Sequence, residues 1–208
     1  MNRVRLLLLA GAAGLLGACA ILPITLDLLG HLGSRKSGSY SREVPRGTVT
    51  FDGVTLPQEG PWSLDFSGQN VPVSFKSVRL IYAVALATSG PGLSGTVTVQ
   101  AYLAPAGVAD AVQERYRLGS SQVLDLGAGS FELEGSADLT AEQVAAVNDK
   151  KVQVVLVFGG TATAAEDGTL RLDYEVKKLL LSFTVICPAP AENPPAAAGG
   201  FGVARSGA

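Results

Sequence analysis

From Arg46 onward, segment after segment alternates in side-chain character at every second position. This period of two limits the fold more than any other feature. A helix brings side chains to one face every 3–4 residues, whereas a strand does so every second residue, so such a pattern buries one face only as β-structure. In Ser77–Thr88, Val78, Leu80, Tyr82, Val84 and Leu86 form one face, and Ile81, Ala83, Ala85 and Ala87 form the other. In Ser94–Leu103, Val97, Val99, Ala101 and Leu103 point inward, and Thr96, Thr98 and Gln100 point outward. Ser89-Gly90-Pro91-Gly92 lies between these segments as a turn, and the two are expected to form a hairpin. Further strands are predicted at Gly47–Phe51, Trp62–Phe66, Val123–Leu126, Ser130–Leu139, Lys151–Thr163 and Thr169–Ile186, with Glu166-Asp167-Gly168 joining the last two.

The final strand changes phase. Leu170, Leu172, Tyr174 and Val176 occupy even positions, whereas Leu179, Leu181, Phe183 and Val185 occupy odd ones. One face cannot hold both sets, so either a bulge at Lys177-Lys178 or a crossing between sheets is expected. Thr140 and Gln143 have capping-box spacing, and Val144 and Val147 supply an apolar stripe, so Ala141–Asn148 reads as one short helix. Ala106–Leu118 reads as a short helix or a long loop. The fold class expected for residues 46–187 is all-β: an antiparallel β-sandwich, immunoglobulin-like or jelly-roll-like, with one short helix and an open barrel as the alternative.

The N-terminus is of a different kind. Met1–Arg5 holds two arginines and no acid, and Leu6–Leu16 is apolar or small throughout. That is the pattern of a secretory signal. It ends in Leu16-Gly17-Ala18-Cys19, which resembles the lipobox of bacterial lipoproteins. The resemblance covers about the first twenty residues. It implies that the Cys19 thiol carries diacylglyceryl, that cleavage falls between Ala18 and Cys19, and that the mature protein is anchored in a membrane outside the cytoplasm. In that family an aspartate after the cysteine marks inner-membrane retention, so Ala20 implies the outer membrane where the cell has one. Two plainer readings stand beside it. Val4–Leu22 is nearly long enough to span a bilayer, although Gly11, Gly14, Gly17 and Pro23 interrupt it. Alternatively, an ordinary signal is cut after Ala18 and Cys19 is incidental. The remaining cysteine, Cys187, follows the last strand and reads as a small apolar residue.

Residues 19–45 are expected to be the lipidated N-terminus and a tether. Gly30–Arg42 reads as flexible, with a fully extended reach of about 80 Å from the bilayer. Pro23–Leu29 alternates and is an optional edge strand. The Pro/Ala/Gly-rich residues 188–208 are expected to be a disordered tail, so that Glu43–Pro188 suffices for folding.

Chemistry-bearing residues are few. The sole histidine, His31, falls in the expected tether, where it cannot be held to a catalytic geometry. The domain offers too few His and Cys side chains for zinc, and no glycine-rich loop has phosphate-binding spacing. Glu132, Glu134 and Asp138 read as the wet face of a strand. Charged residues make up only 16% of the chain, and after loss of residues 1–18 acidic residues outnumber basic ones, which argues against a nucleic-acid partner. Neither a cofactor, a metal site nor catalysis is expected. The functional expectation is a lipid-anchored envelope protein that is structural or binds an envelope partner. The alternative is a carrier of a lipid or other hydrophobic ligand, because Ser77–Thr88 and Val152–Phe158 are apolar on both faces. Tyr82, Val84, Val154, Leu156 and Phe158 are its candidate ligand-lining residues.

Overall fold

The computed structural model describes residues 22–69 and 75–185. Residues 1–18, Cys19, Cys187 and the expected tail lie outside these. Among the described residues, twelve antiparallel strands form two sheets. Sheet 1 is built on β12 (Gly168–Val185), with β6 (Val78–Ser89) and then β10 (Ser130–Asp138) on one side. On its other side β1 (Leu22–Asp27) and β2 (Ser37–Val44) lie end to end. Sheet 2 is built on β11 (Lys151–Ala164). Three short strands, β3 (Gly47–Thr50), β4 (Val54–Leu56) and β5 (Trp62–Asp65), line one flank of it. On the other flank lie β7 (Leu93–Ser94) and β8 (Thr96–Pro105), then β9 (Arg117–Asp125).

Successive strand groups alternate between the sheets, apart from the β8–β9 hairpin. Sheet 1 takes the order β2-β12-β6-β10, and sheet 2 takes β3/β4/β5-β11-β8-β9. This is the connectivity of a jelly roll, the second of the two sandwich types expected. The hairpin expected between Ser77–Thr88 and Ser94–Leu103 is not formed. β6 pairs with β12 and β10, while β8 pairs with β11 and β9. The Gly90–Gly92 turn therefore carries the chain from one layer to the other. Each of these strands buries one strongly apolar face, and placing them in opposite layers turns those faces toward each other.

The interior closes as the alternation requires. Leu80, Leu86, Leu133 and Leu181 of sheet 1 join Leu103, Leu156 and Phe158 of sheet 2 in one buried cluster. The phase change in β12 is resolved by a bulge: Val176 pairs with Val84 and Lys178 with Ala83, leaving Lys177 extra. Tyr174 and Val176 before the bulge, and Leu179 and Leu181 after it, are thereby all buried. The bulge also marks where β12 exchanges one edge neighbour for another. β2 pairs with Gly168–Glu175, and β1 with Leu180–Val185.

The expected tether is therefore part of the sandwich, and the domain boundary moves from residue 46 to Leu22. Between β1 and β2, Leu29–Lys36 forms 3-10 turns. Leu28 and Leu32 are buried there, and the Leu28 amide donates to the Leu179 carbonyl at 2.8 Å. The glycine and serine content of Gly30–Arg42 favours a flexible coil. What orders the segment instead is the open edge of β12, whose amides and carbonyls need partners, together with Leu28, Leu32, Tyr40 and Val44 at core positions. Glu43–Pro188 consequently lacks two strands of sheet 1.

Ala106–Leu118 is a loop with one 3-10 turn, Glu114–Tyr116, leading into β9. It covers the outer face of sheet 2, where Ala111 and Tyr116 pack on Ala104 and Val155. This cover explains why Val152–Phe158 is apolar on both faces. The expected helix, α1 (Ala141–Asn148), has the full capping box of Thr140 and Gln143. Among the described residues no helix is long and apolar enough to cross a membrane.

Candidate functional site

Three glutamines hold the cover segment and α1 in place. Fully buried Gln143 donates from Nε2 to the Tyr116 carbonyl at 2.9 Å, and its Oε1 accepts the Thr140 amide at 2.9 Å. Gln100 sits where the β8–β9 register slips. Its Nε2 donates to the Ala101 and Leu118 carbonyls, each at 2.9 Å, and its Oε1 accepts from Arg117 Nε at 2.9 Å. Gln153 Nε2 donates to the Val108 carbonyl at 2.8 Å. These amides satisfy backbone groups that the bulge and loop would otherwise bury unpaired. Their role is structural, and the outward position of Gln100 in the sequence pattern gave no sign of its burial.

Between the sheets lies an apolar void of about 20 Å³, which Leu32, Tyr82, Val84, Val154, Leu156 and Leu179 help to line. Four of the five residues expected to line a ligand cavity therefore meet around one space. The fifth, Phe158, is buried in the core but does not border it. A void this size holds about one water molecule, and small-molecule sites run to about 300–1,000 Å³. An acyl chain has no room there.

Tyr82 and Tyr174 extend from this interior to the two edges of sheet 1. Each lies directly opposite a glycine in register, Tyr82 facing Gly135 of β10 and Tyr174 facing Gly38 of β2. A Cβ on Gly135 would stand 2.5 Å from the Tyr82 hydroxyl oxygen, and one on Gly38 would stand 2.6 Å from that of Tyr174. The rings occupy the space the glycines leave, as in aromatic rescue of edge glycines. Burial raises both phenol pKa values above the ordinary range. Gln122 opposes this at Tyr82, and at Tyr174 Glu59 adds to it while Arg35 opposes. The Trp62 ring meets Tyr174 edge-on at 5.5 Å, and Trp62 Nε1 donates to the Arg35 carbonyl at 2.8 Å.

A larger concavity lies on the outer face of sheet 1, an open trough of about 770 Å³. Its floor is Ala85 and Ala87 of β6. Glu132 of β10 stands on one side, and Arg171, Asp173 and Glu175 of β12 on the other, with Ser37 and Ser39 beyond. Register explains the shape: Ser37, Glu175, Ala85 and Glu132 fall in one row across four strands. Small methyls on the middle strand between long side chains on both neighbours leave a channel about 10 Å wide, two strand spacings. Arg171 pairs with Asp173 at 2.9 Å, and Lys177 pairs with Glu175. The alanines of Ser77–Thr88 were legible as the second apolar face of that strand, but the facing rows of β10 and β12 that make it a trough were not.

The other expected residues fall apart. His31 is held in the 3-10 segment, with its Nε2 3.4 Å from Gln69 Nε2 and its ring edge-on to Phe66 at 6.5 Å. It is not on a flexible tether. Asp138 binds Arg79 Nε at 2.8 Å, and this hydrogen bond lowers its pKa. Glu132 and Glu134 are exposed on β10. Among the described residues no three His, Cys, Asp or Glu side chains converge to hold a metal.

No family model matches the sequence, and no curated protein does. Among solved structures, the chain is similar to a protein of the full particle of Israeli acute paralysis virus heated to 63 degrees, at 13% identity over 82% of this chain and 76% of that one, with TM-score 0.33. It is similar to the BFDV capsid protein in its 60-mer, at 13% identity over 84% and 98% of the two chains, with TM-score 0.32. It is also similar to a chain of the Triatoma virus empty capsid, at 7% identity over 77% and 92%, with TM-score 0.31. Likeness this distant carries no argument, and the fold rests on the strand register itself.

Proposed function

We propose that the chain is a lipid-anchored protein of the cell envelope, without a catalytic role, whose jelly roll presents its outer trough to another envelope component. One observation carries this reading. The lipobox-like Leu16-Gly17-Ala18-Cys19 ends two residues, Ala20 and Ile21, before the first strand of a well-packed sandwich. The motif supplies an anchor and the sandwich a rigid body. The trough is the surface with room for a partner, and it lies on strands rather than loops, which suits a contact of defined geometry. The interior void bordered by Tyr82, Val84, Val154 and Leu156, at about 20 Å³, gives the carrier alternative less support than the trough gives a partner contact.

The anchor is tested by Cys19→Ser, which should abolish metabolic labelling with palmitate and leave the protein unprocessed or released. Continued labelling would remove the lipoprotein reading. The partner contact is tested by Ala85→Arg, which fills the trough floor on an outward position. In-cell crosslinking of the wild type should return a discrete partner that this variant loses while keeping its thermal midpoint. An unchanged crosslinking pattern would exclude the trough.

A further inference from the structure

The register of sheet 1 determines which end of the sandwich the anchor sits on. Leu22 pairs with Val185 at the far end of β12, and β1 runs from there toward the middle of the sheet. Val78 and Asp138 belong to the same end. The sheet-crossing turns Pro45–Arg46, Gly90–Gly92, Leu126–Gly129 and Ala165–Asp167 all lie at the other end. They are joined there by the Arg46 amide donating to Asp167 Oδ1 at 2.6 Å and the Ala165 amide donating to the Pro91 carbonyl at 2.9 Å. Both covalent exits from the sandwich, before Leu22 and after Val185, are thus at one end, and the turn end has none. β12 spans 18 residues between the two ends, about 55 Å at a rise of about 3.3 Å per residue.

Two residues separate Cys19 from Leu22, so their Cα atoms can be no more than about 10 Å apart. Acyl chains on Cys19 must lie in hydrocarbon, which puts this residue within the headgroup layer, about 5–8 Å thick on each side of a bilayer. The start of β1 then emerges at the headgroup surface. The Leu22 end is balanced in charge, with Lys76, Arg79, Lys150 and Lys151 against Asp65, Asp138, Glu142 and Asp149, so it meets a headgroup layer without net repulsion. At the turn end Glu43, Asp125, Glu166 and Asp167 stand with Arg42, Arg46 and Arg171. Lying flat on sheet 1 would press exposed Glu132 and Glu134 into the headgroups and cover the trough.

We propose, resting on the lipid-anchor reading, that the Leu22–Val185 end of the sandwich stands directly on the lipid headgroup layer, with no tether, and that the turns form the membrane-distal tip. Glu175 and Asp173, which wall the trough, are ten and twelve residues from Val185 along β12. The trough is therefore held about 30–40 Å above the membrane, opening sideways. Its partner is one that reaches that height, not a lipid.

The test uses the full acylated protein with Cys187→Ser and a single reporter cysteine carrying a fluorophore. Lys76→Cys and Asp149→Cys report the base, and Ser89→Cys and Glu166→Cys report the tip; all four positions are exposed. Vesicles are phosphatidylethanolamine and phosphatidylglycerol with a nitroxide quencher on a fraction of headgroups. The expected result is several-fold stronger quenching at both base positions than at both tip positions. A flexible Gly/Ser insertion after Ile21 should reduce that contrast. Protein that floats with the vesicles but quenches equally at base and tip, or more at the tip, overturns the orientation while leaving the anchor intact. Wild-type protein that fails to float overturns the anchor reading and this inference with it.

Discussion

Gly135→Ala adds one methyl group to an interior edge position, and its effect follows from the ring it faces. The new Cβ would lie 2.5 Å from the Tyr82 hydroxyl oxygen, 2.6 Å from Cζ and 3.1 Å from Cε1. Ordinary carbon contacts begin at about 3.5 Å, so the ring or the strand must move by up to an ångström. Tyr82 borders the 20 Å³ void, which takes up part of this shift. Overpacking of this kind costs about 1–3 kcal/mol. Removing a glycine from a strand returns about 0.5–1 kcal/mol. The net expectation is a loss of about 1–2 kcal/mol, or roughly 2–8 °C in thermal midpoint for a domain of this size. The assay is urea and thermal unfolding of the Leu22–Val185 sandwich, with the same substitution repeated in a Tyr82→Leu background. With the ring gone, Gly135→Ala should become neutral or stabilising, and the difference between backgrounds is the coupling energy. Equal effects in the two backgrounds, or stabilisation in the wild type, would refute the role assigned to the Tyr82–Gly135 pair.

Deleting Lys177 removes the extra residue, so that Leu179, Leu181 and Phe183 follow Leu170–Val176 in one unbroken alternation and keep their partners on β6. The sandwich should keep its near-ultraviolet circular dichroism and cooperative unfolding; loss of both would show that the bulge is needed for more than phase. Beginning the chain at Glu43 removes buried Leu28, Leu32 and Tyr40 and uncovers one edge of β12. The loss of about 5–9 kcal/mol is comparable to the whole stability of a typical domain, and calorimetry should show no sharp transition where a chain from Leu22 has one. Because burial raises the folded-state pKa of Tyr82, its contribution is fully present below the ordinary tyrosine pKa of about 10. As pH climbs past that value the unfolded chain loses its phenolic proton first, so stability falls; Tyr82→Phe should show a shallower decline in urea midpoint across the same range.

Local periodicity determined most of the strands. The alternation at Val78–Leu86 and Val97–Leu103, the capping box at Thr140 and the phase change at Lys177 each correspond to a feature of the sandwich, because each depends on neighbours a few residues away. The lipobox-like motif at Cys19 is equally local and needs no fold to be legible. What the sequence alone left undecided depended on partners far along the chain. Gly90–Gly92 is a turn in either case, but whether it closes a hairpin or changes layers depends on which strands pair with β6 and β8, and those are β12 and β11, some ninety and sixty residues away. Ser37–Val44 has little strand propensity of its own and becomes β2 because the edge of β12 offers it a ladder. The trough has the same origin. Ala85 and Ala87 are unremarkable until the fold sets Glu132 on one side and Asp173 and Glu175 on the other. Propensity and alternation are properties of short segments, whereas layer, edge and cavity are properties of pairings whose loop-closure entropy is overcome only when the whole core assembles.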